Sequence, residues 1–318
     1  MHRQRVAHSK INVQEVGGSK HQADLSPYIK ATNWQFDNSW HERHKLGFLD
    51  LCVFVGTPEW LGSMVGPLVS QLSVSKVPVV YLGVGGFERR EGLRLDQLSP
   101  DDQAVLRRAA LIAAPDDQAA GLLQDIGVLR LPCPALFSTE TQRVRTGDRL
   151  RIALSTQPND SRQPLSNGGV SEYTQTLFVE LAKQFDCDLI CHYVDELEPL
   201  KSFGVSLRYS YDARDYLQIY DAYDLVVTTR VHGAGIAASL RVPSLVIKHS
   251  ARTSTADGFL ADYIDPNMDT PAAVIDRIRG LDISKRSGNL ITHKAETREK
   301  YLELLSSRLG LGRESSRR

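Results

Sequence analysis

Along most of the chain, short apolar runs alternate with stretches whose apolar residues recur every three or four positions. The first rhythm fits a strand buried on both faces, the second an amphipathic helix. "FLDLCVFVG" (48–56) reads as a strand and "EWLGSMVGPLVSQLSVS" (59–75) as a helix. "VPVVYLGVGG" (77–86) is a strand that ends in glycines. "SPDDQAVLRRAALIAAP" (99–115) reads as a helix with a well-marked start: Ser99 as N-cap, Pro100 in the first position and acids in the first turn. "DDQAAGLLQDIGV" (116–128) is a shorter helix closing at Gly127. The segment "STETQRVRTGDRL" (138–150) is polar and has no apolar period. After it the pattern restarts: "LRIALST" (150–156) as strand, "GVSEYTQTLFVELAKQF" (169–185) as helix, "CDLICHYV" (187–194) as strand. "SYDARDYLQIYDAY" (210–223) follows as helix and "YDLVVT" (223–228) as strand. A small-residue helix, a buried strand at Ser244–Ile247, an amphipathic helix at 293–309 and a frayed tail complete the pattern.

Strand–helix alternation of this kind predicts an α/β fold with parallel sheets and helices on both faces. The polar break predicts two Rossmann-like, doubly wound domains facing a cleft: residues 1–140, the shorter in regular elements, and 150–280. The last helix and tail occupy 281–318. In open α/β sheets ligands bind beyond the carboxyl ends of the strands, so the strand-to-helix junctions are the places to look for chemistry. Three of them carry glycine: "VGTPEW" (55–60), "LGVGGF" (82–87) and "TTRVHGAG" (228–235). Glycine lets backbone amides approach an anion closely, and it also serves turn geometry alone. Gly83, Gly85 and Gly86 belong to the second junction.

The third junction carries more. Arg230 offers a planar fork suited to carboxylate or phosphate, and His232 can hold a proton near neutral pH. A helix starting beside Gly233 and Gly235 would add free amides and the positive end of its dipole. Together these describe a pocket for a small anion. The alternative from the same residues is structural: Arg230 paired with a neighbouring acid and His232 capping a carbonyl. Lys248 and Arg252, after the last buried strand, are candidates for a second cationic contact. Glu59, just after the first strand, is a candidate for proton transfer, set against its reading as a solvated first-turn acid.

Composition narrows the classes. The 318 residues carry equal numbers of acidic and basic side chains, 38 each, so nothing argues for nucleic acid or an anionic membrane surface. No apolar run approaches the length of a membrane span, and the N-terminus lacks the apolar stretch of a signal peptide. The expectation is a cytoplasmic protein. Residues 1–46 are irregular and hold five of the nine histidines, His41 and His44 among them, together with Trp34 and Trp40. A His-x2-His pair is a weak metal signal, and groove filling explains the tryptophans better than sugar stacking. Cys187, Cys191 and His192 could form half of a metal site, but no second pair follows at zinc-site spacing, so strand packing is the expected role. No metal is expected.

The run "YDLVVTTRVHGAGIAASLRVPSLVI" resembles the C-terminal signature of the polysaccharide pyruvyl transferase family, with Asp224, Arg230, His232, Ala237 and Pro243 matching in order. "VPVVYLGVGG", "LIAAPDDQAAGLLQDIGV" and "LPCPALF" resemble upstream segments of the same family, so the likeness covers about residues 48–265. The resemblance implies a fold like that of GT-B glycosyltransferases. It implies transfer of the enolpyruvyl group of phosphoenolpyruvate onto sugar hydroxyls of a polysaccharide or lipid-linked precursor, forming a pyruvate ketal and releasing phosphate. It places phosphoenolpyruvate on the C-terminal domain, at Arg230 and His232, and the acceptor on the N-terminal one, with no cofactor beyond the donor substrate. The chain departs from the family pattern in the missing Asn-x-Gly-Asp turn near its start, in Cys133 where Asp is usual, and in "KHSAR" (248–252). Two alternatives stay open: a GT-B glycosyltransferase using a nucleotide sugar, with "TSTADGF" (253–259) as its base-binding candidate, and a degenerate, non-catalytic glycan-binding member.

Overall fold

The structure, a computed structural model, describes residues 49–55, 66–85, 94–140, 149–158 and 168–310. Glu59, Gly86, His41, His44, Trp34 and Trp40 lie outside the described residues. The chain divides into two compact units: residues 1–134 with 297–318, and residues 135–296.

In the first unit, β1 (Cys52–Val55), α1 (Gly66–Val74), β2 (Val79–Leu82), α2 (Pro100–Arg107), β3 (Leu111–Ala114), α3 (Asp117–Leu122) and β4 (Leu129–Arg130) follow one another. The strands pair in parallel in the order β1-β2-β3-β4. Helix α2 starts as its sequence suggests. The Ser99 side chain accepts from Asp102 N at 3.1 Å, and Pro100 fills the first position. The helix is shorter than expected, however. It stops at Arg107, and "LIAA" forms β3, in which all four residues are buried. A strand covered on both faces carries no alternation that would separate it from a buried helix. Arg108, at the helix end, donates to the carbonyls of Leu72 and Val77 and ties α1 to the entrance of β2. Asp116 is buried and caps α3 by accepting from Ala119 N at 2.8 Å. Gly127 closes the following turn in the left-handed region, at φ 74°.

The second unit opens with β5 (Arg151–Ser155), α4 (Gly168–Gln184), β6 (Asp186–Cys191), α5 (Leu197–Lys201), β7 (Ser206–Tyr209), α6 (Asp215–Asp221) and β8 (Leu225–Thr228). It continues through α7 (Val231–Ser239), β9 (Ser244–Ile247), a 3-10 helix (Ala251–Phe259), β10 (Asp262–Ile264), α8 (Pro271–Arg279) and α9 (Ile283–Leu309). Strands β7 and β10 and helix α8 are additions to what the apolar pattern announces, and α9 begins ten residues before the expected start. The strands form one parallel sheet in the order β10-β9-β8-β5-β6-β7.

Side chains alternate across that sheet with the period of two that strands impose. Ile152, Leu154, Leu189, Cys191, Leu225 and Val227 face Leu177, Phe178 and Leu181 of α4 and Val274 and Ile278 of α8. Ala153, Ile190 and Val226 face the other way, onto Tyr216 and Tyr220 of α6, Ala237 of α7, and Tyr223. Fully burying one such aliphatic or aromatic side chain contributes about 1.5–3 kcal/mol. Register at the sheet centre is fixed by Asp224. Its carboxylate accepts from Arg151 N at 2.9 Å while its own amide donates to Arg151 O at 2.8 Å.

Gly83, at the end of β2, has φ 70°, and a Cβ there would stand 2.6 Å from Pro134 Cδ and 3.0 Å from Cys133 Sγ. Gly83→Ala is therefore expected to cost about 2–3 kcal/mol, from left-handed strain plus overlap. A denaturant titration showing an unchanged midpoint would mean that this turn relaxes without resistance.

Candidate functional site

The order of the second sheet reverses at its middle: β5, β6 and β7 run to one side and β8, β9 and β10 to the other. The loops after β5 and β8 therefore part company at a topological switch point, where open α/β sheets bind ligands. Thr156 follows β5, and Thr229 and Arg230 follow β8. Thr229 N donates to Ser155 O at 3.0 Å, and Thr229 Oγ1 donates to Thr156 Oγ1 at 3.1 Å, so the two loops are joined at their roots. Arg230 is the N-cap of α7, in extended conformation, with its amide donating to Thr228 Oγ1 at 2.7 Å.

The Arg230 side chain is only 8% exposed. Its Nη2 forms an ion pair with Oε1 of Glu196, which is completely buried. Glu196 ends the short 3-10 turn that follows β6, and its Oε2 accepts from His192 N at 2.7 Å and Tyr193 N at 3.2 Å. Arg230 Nε donates to Thr156 O at 3.4 Å, and the guanidinium lies 5.3 Å from the centre of the Tyr193 ring. Its third nitrogen, Nη1, has no acceptor among the described residues. Burial pushes the Arg230 pKa down to about 10, which leaves the guanidinium charged at neutral pH. The pairing with an acid that sequence alone left as one of two readings is thus present, and it coexists with a switch-point location.

His192 completes the group. Its Nε2 shares a 2.8 Å hydrogen bond with Tyr220 Oη, and its ring packs against Tyr216. Burial, followed by the positive charges of Arg230 and His232, holds its pKa well below the usual histidine range. The Cys-x3-Cys-His run is thereby accounted for. Both cysteines lie in β6 as free thiols, pushed up by burial to about 12 for Cys187 and about 11 for Cys191. Among the described residues no group of three or more His, Cys, Asp or Glu side chains is placed to hold a metal ion.

The remaining sequence candidates fall in separate places. His232 is exposed on the first turn of α7. Gly233 and Gly235 lie in the same helix and are buried, and packing accounts for their missing side chains. A Cβ on Gly233 would stand 2.9 Å from Tyr220 Oη, and one on Gly235 would stand 2.8 Å from both Ala135 Cβ and Phe259 Cζ. Lys248 follows β9 and is half exposed, 3.9 Å from Asp265 and 5.5 Å from the Tyr263 ring centre. Arg252 lies in the 3-10 helix after it. Between them His249, which sequence reasoning passed over, holds the Thr229 carbonyl through Nε2 at 2.8 Å and so braces the backbone before Arg230. Asp257, in the segment proposed for a nucleotide base, accepts from Tyr263 Oη at 2.5 Å. Gly83 and Gly85 belong to the first unit, where both are buried.

Two outcomes test this geometry. Arg230→Ala leaves a buried carboxylate without its partner and is expected to lower stability by about 3–5 kcal/mol. Adding Glu196→Gln should recover much of that loss in a denaturant titration, and equal costs for the single and double variants would dissolve the pair. For His192 the folded pKa is depressed, so the unfolded chain takes up a proton near pH 6.5 that the folded chain refuses. Its stabilising share is whole above that pH and is lost as pH falls below it. Between pH 7.5 and 5.5 the thermal midpoint of the wild type should drop more steeply than that of His192→Gln. Parallel curves would mean that His192 titrates normally.

No curated protein matches this chain. Among solved structures, Staphylococcus aureus MnaA in a co-structure with UDP superposes with a TM-score of 0.53 at 14% identity, over 90% of this chain and 82% of that one. A UDP-N-acetylglucosamine 2-epimerase superposes with a TM-score of 0.53 at 16% identity, over 89% and 78%. At this identity the likeness is one of fold, and it places the two Rossmann-like units in the GT-B-like class. The profile of the polysaccharide pyruvyl transferase family matches residues 17–251, from ahead of the first described strand to beyond β9. The chain belongs to the polysaccharide pyruvyl transferase family.

Proposed function

We propose that this protein transfers the enolpyruvyl group of phosphoenolpyruvate to sugar hydroxyls of a polysaccharide or its lipid-linked precursor, in polysaccharide biosynthesis. The observation that carries the reading is the position of the charged Arg230 guanidinium. It stands at the switch point of the second sheet, on the first residue before α7, with one nitrogen left without a protein acceptor among the described residues. Arg230 would hold the phosphate or carboxylate of the donor through that edge, aided by the amides of the first turn of α7. Lys248 and Arg252, which follow the neighbouring strand β9, are the candidates for the other anionic group.

The methylene carbon of phosphoenolpyruvate takes a proton, with His232 as donor, and positive charge develops at C2. One sugar hydroxyl oxygen bonds to C2 and gives up its proton, which restores the acid. The second hydroxyl oxygen bonds to C2 as the C2–O bond to phosphate breaks, and its proton leaves with the phosphate. The products are a cyclic ketal and inorganic phosphate. Arg230 contributes most as charge gathers on the departing phosphate. Glu59, outside the described residues, is the candidate base for a hydroxyl proton.

The rival reading is use of a nucleotide sugar, as the names of the solved neighbours suggest for those proteins. Phosphoenolpyruvate-dependent release of phosphate, measured with and without a glycan acceptor, separates the two. Arg230→Lys should lose about a hundredfold in kcat/KM, nearly as much as Arg230→Ala, because a point charge does not replace a planar fork. Near-normal turnover in Arg230→Lys would remove the fork contact. A thermal shift with UDP and none with phosphoenolpyruvate would favour the nucleotide-sugar enzyme.

A further inference from the structure

The anion site as proposed already contains an anion of its own. Resting on that reading, we propose that Glu196 is an affinity-determining residue: an internal carboxylate that occupies one edge of the Arg230 guanidinium and limits how tightly the site holds phosphoenolpyruvate and the phosphate it releases.

Three observations support it. Glu196 is completely buried and cannot drift off into solvent. Its Oε2 is pinned by two successive amides, His192 N and Tyr193 N, so the turn after β6 presents Oε1 to Arg230 in one orientation. Arg230 is fixed in turn by Thr156 O and the Tyr193 ring, which leaves Nη1 as the nitrogen without an acceptor among the described residues. The pair is formally neutral, so an incoming anion meets a half-compensated arginine rather than a bare cation. Donor and product carry the same phosphate, so a site that gripped it through the full fork would retain the product. Glu196 weakens both complexes, and a uniform loss of affinity of this kind raises KM while protecting turnover.

The experiment is titration calorimetry of the full chain with inorganic phosphate and with phosphoenolpyruvate, together with steady-state kinetics. Glu196→Gln keeps an oxygen for the two amides and removes the charge. It should bind phosphate about tenfold more tightly, with a lower KM for phosphoenolpyruvate and a lower kcat as phosphate release slows. Glu196→Asp, which keeps the charge but withdraws it by one methylene, should shift binding the same way by less. It supplies the answer if Glu196→Gln does not fold. In the Arg230→Ala background, Glu196→Gln should have no effect on phosphate affinity, because its action passes through Arg230. A folded Glu196 variant that binds phosphate as the wild type does, or more weakly, would overturn the proposal and leave Glu196 a packing partner. Wild-type binding of phosphate and phosphoenolpyruvate that ignores Arg230→Ala would instead overturn the reading of the site itself.

Discussion

The second sheet is parallel and is covered on both faces, and this constraint governs the rest of the unit. With α4 and α8 on one side and α6 and α7 on the other, the inner residues of the central strands β5, β8 and β9 are buried. In those three strands the polar side chains stand at the ends, where the backbone leaves the ladder. The reversal of strand order between β5 and β8 then selects one of those ends. Arg230, Thr156, Thr229, His192 and Glu196 are gathered there by topology rather than by closeness in sequence.

A guanidinium in such a place is costly to bury without a partner. The structure satisfies it with Glu196, and satisfies Glu196 in turn with two amides of a single turn. The same arrangement explains why His192 stays neutral. A second cation beside Arg230 would be both desolvated and repelled. His249 braces the backbone before Arg230 through the Thr229 carbonyl, while Asp224 ties the opposite end of β8 to the start of β5. The acid that matches the family signature before β8 is thus a clasp of the sheet rather than a reactive group.

The sequence was informative where a residue type has one strong local reason. Ser99 and Pro100 mark a helix start, Gly127 a left-handed close, and Ser244–Ile247 a strand buried on both sides. It misleads at "LIAA", because four buried residues carry no period, and it is silent at β7 and β10, whose short runs mix polar with apolar residues. Arg230 and His232 stood out by their place at a junction. Glu196 did not, because its meaning comes from a partner on another loop. The only local hint was the spacing of Tyr193 and Glu196, with an acid three residues after the turn begins. At Gly233 and Gly235 the structure adds a packing reason that the sequence does not carry, since Tyr220 and Phe259 belong to other elements.

Helix α9 begins in the second unit, and from Thr297 onward its residues group with the first. There Tyr301 is buried and donates to the Pro132 carbonyl at 2.7 Å. During synthesis residues 135–296 emerge as one uninterrupted stretch, whereas residues 1–134 must wait for a segment that follows all of them. Domains commonly fold in the order in which they leave the ribosome. Here the later unit can be finished first, and the earlier one spends that interval without the final stretch of α9 that completes it.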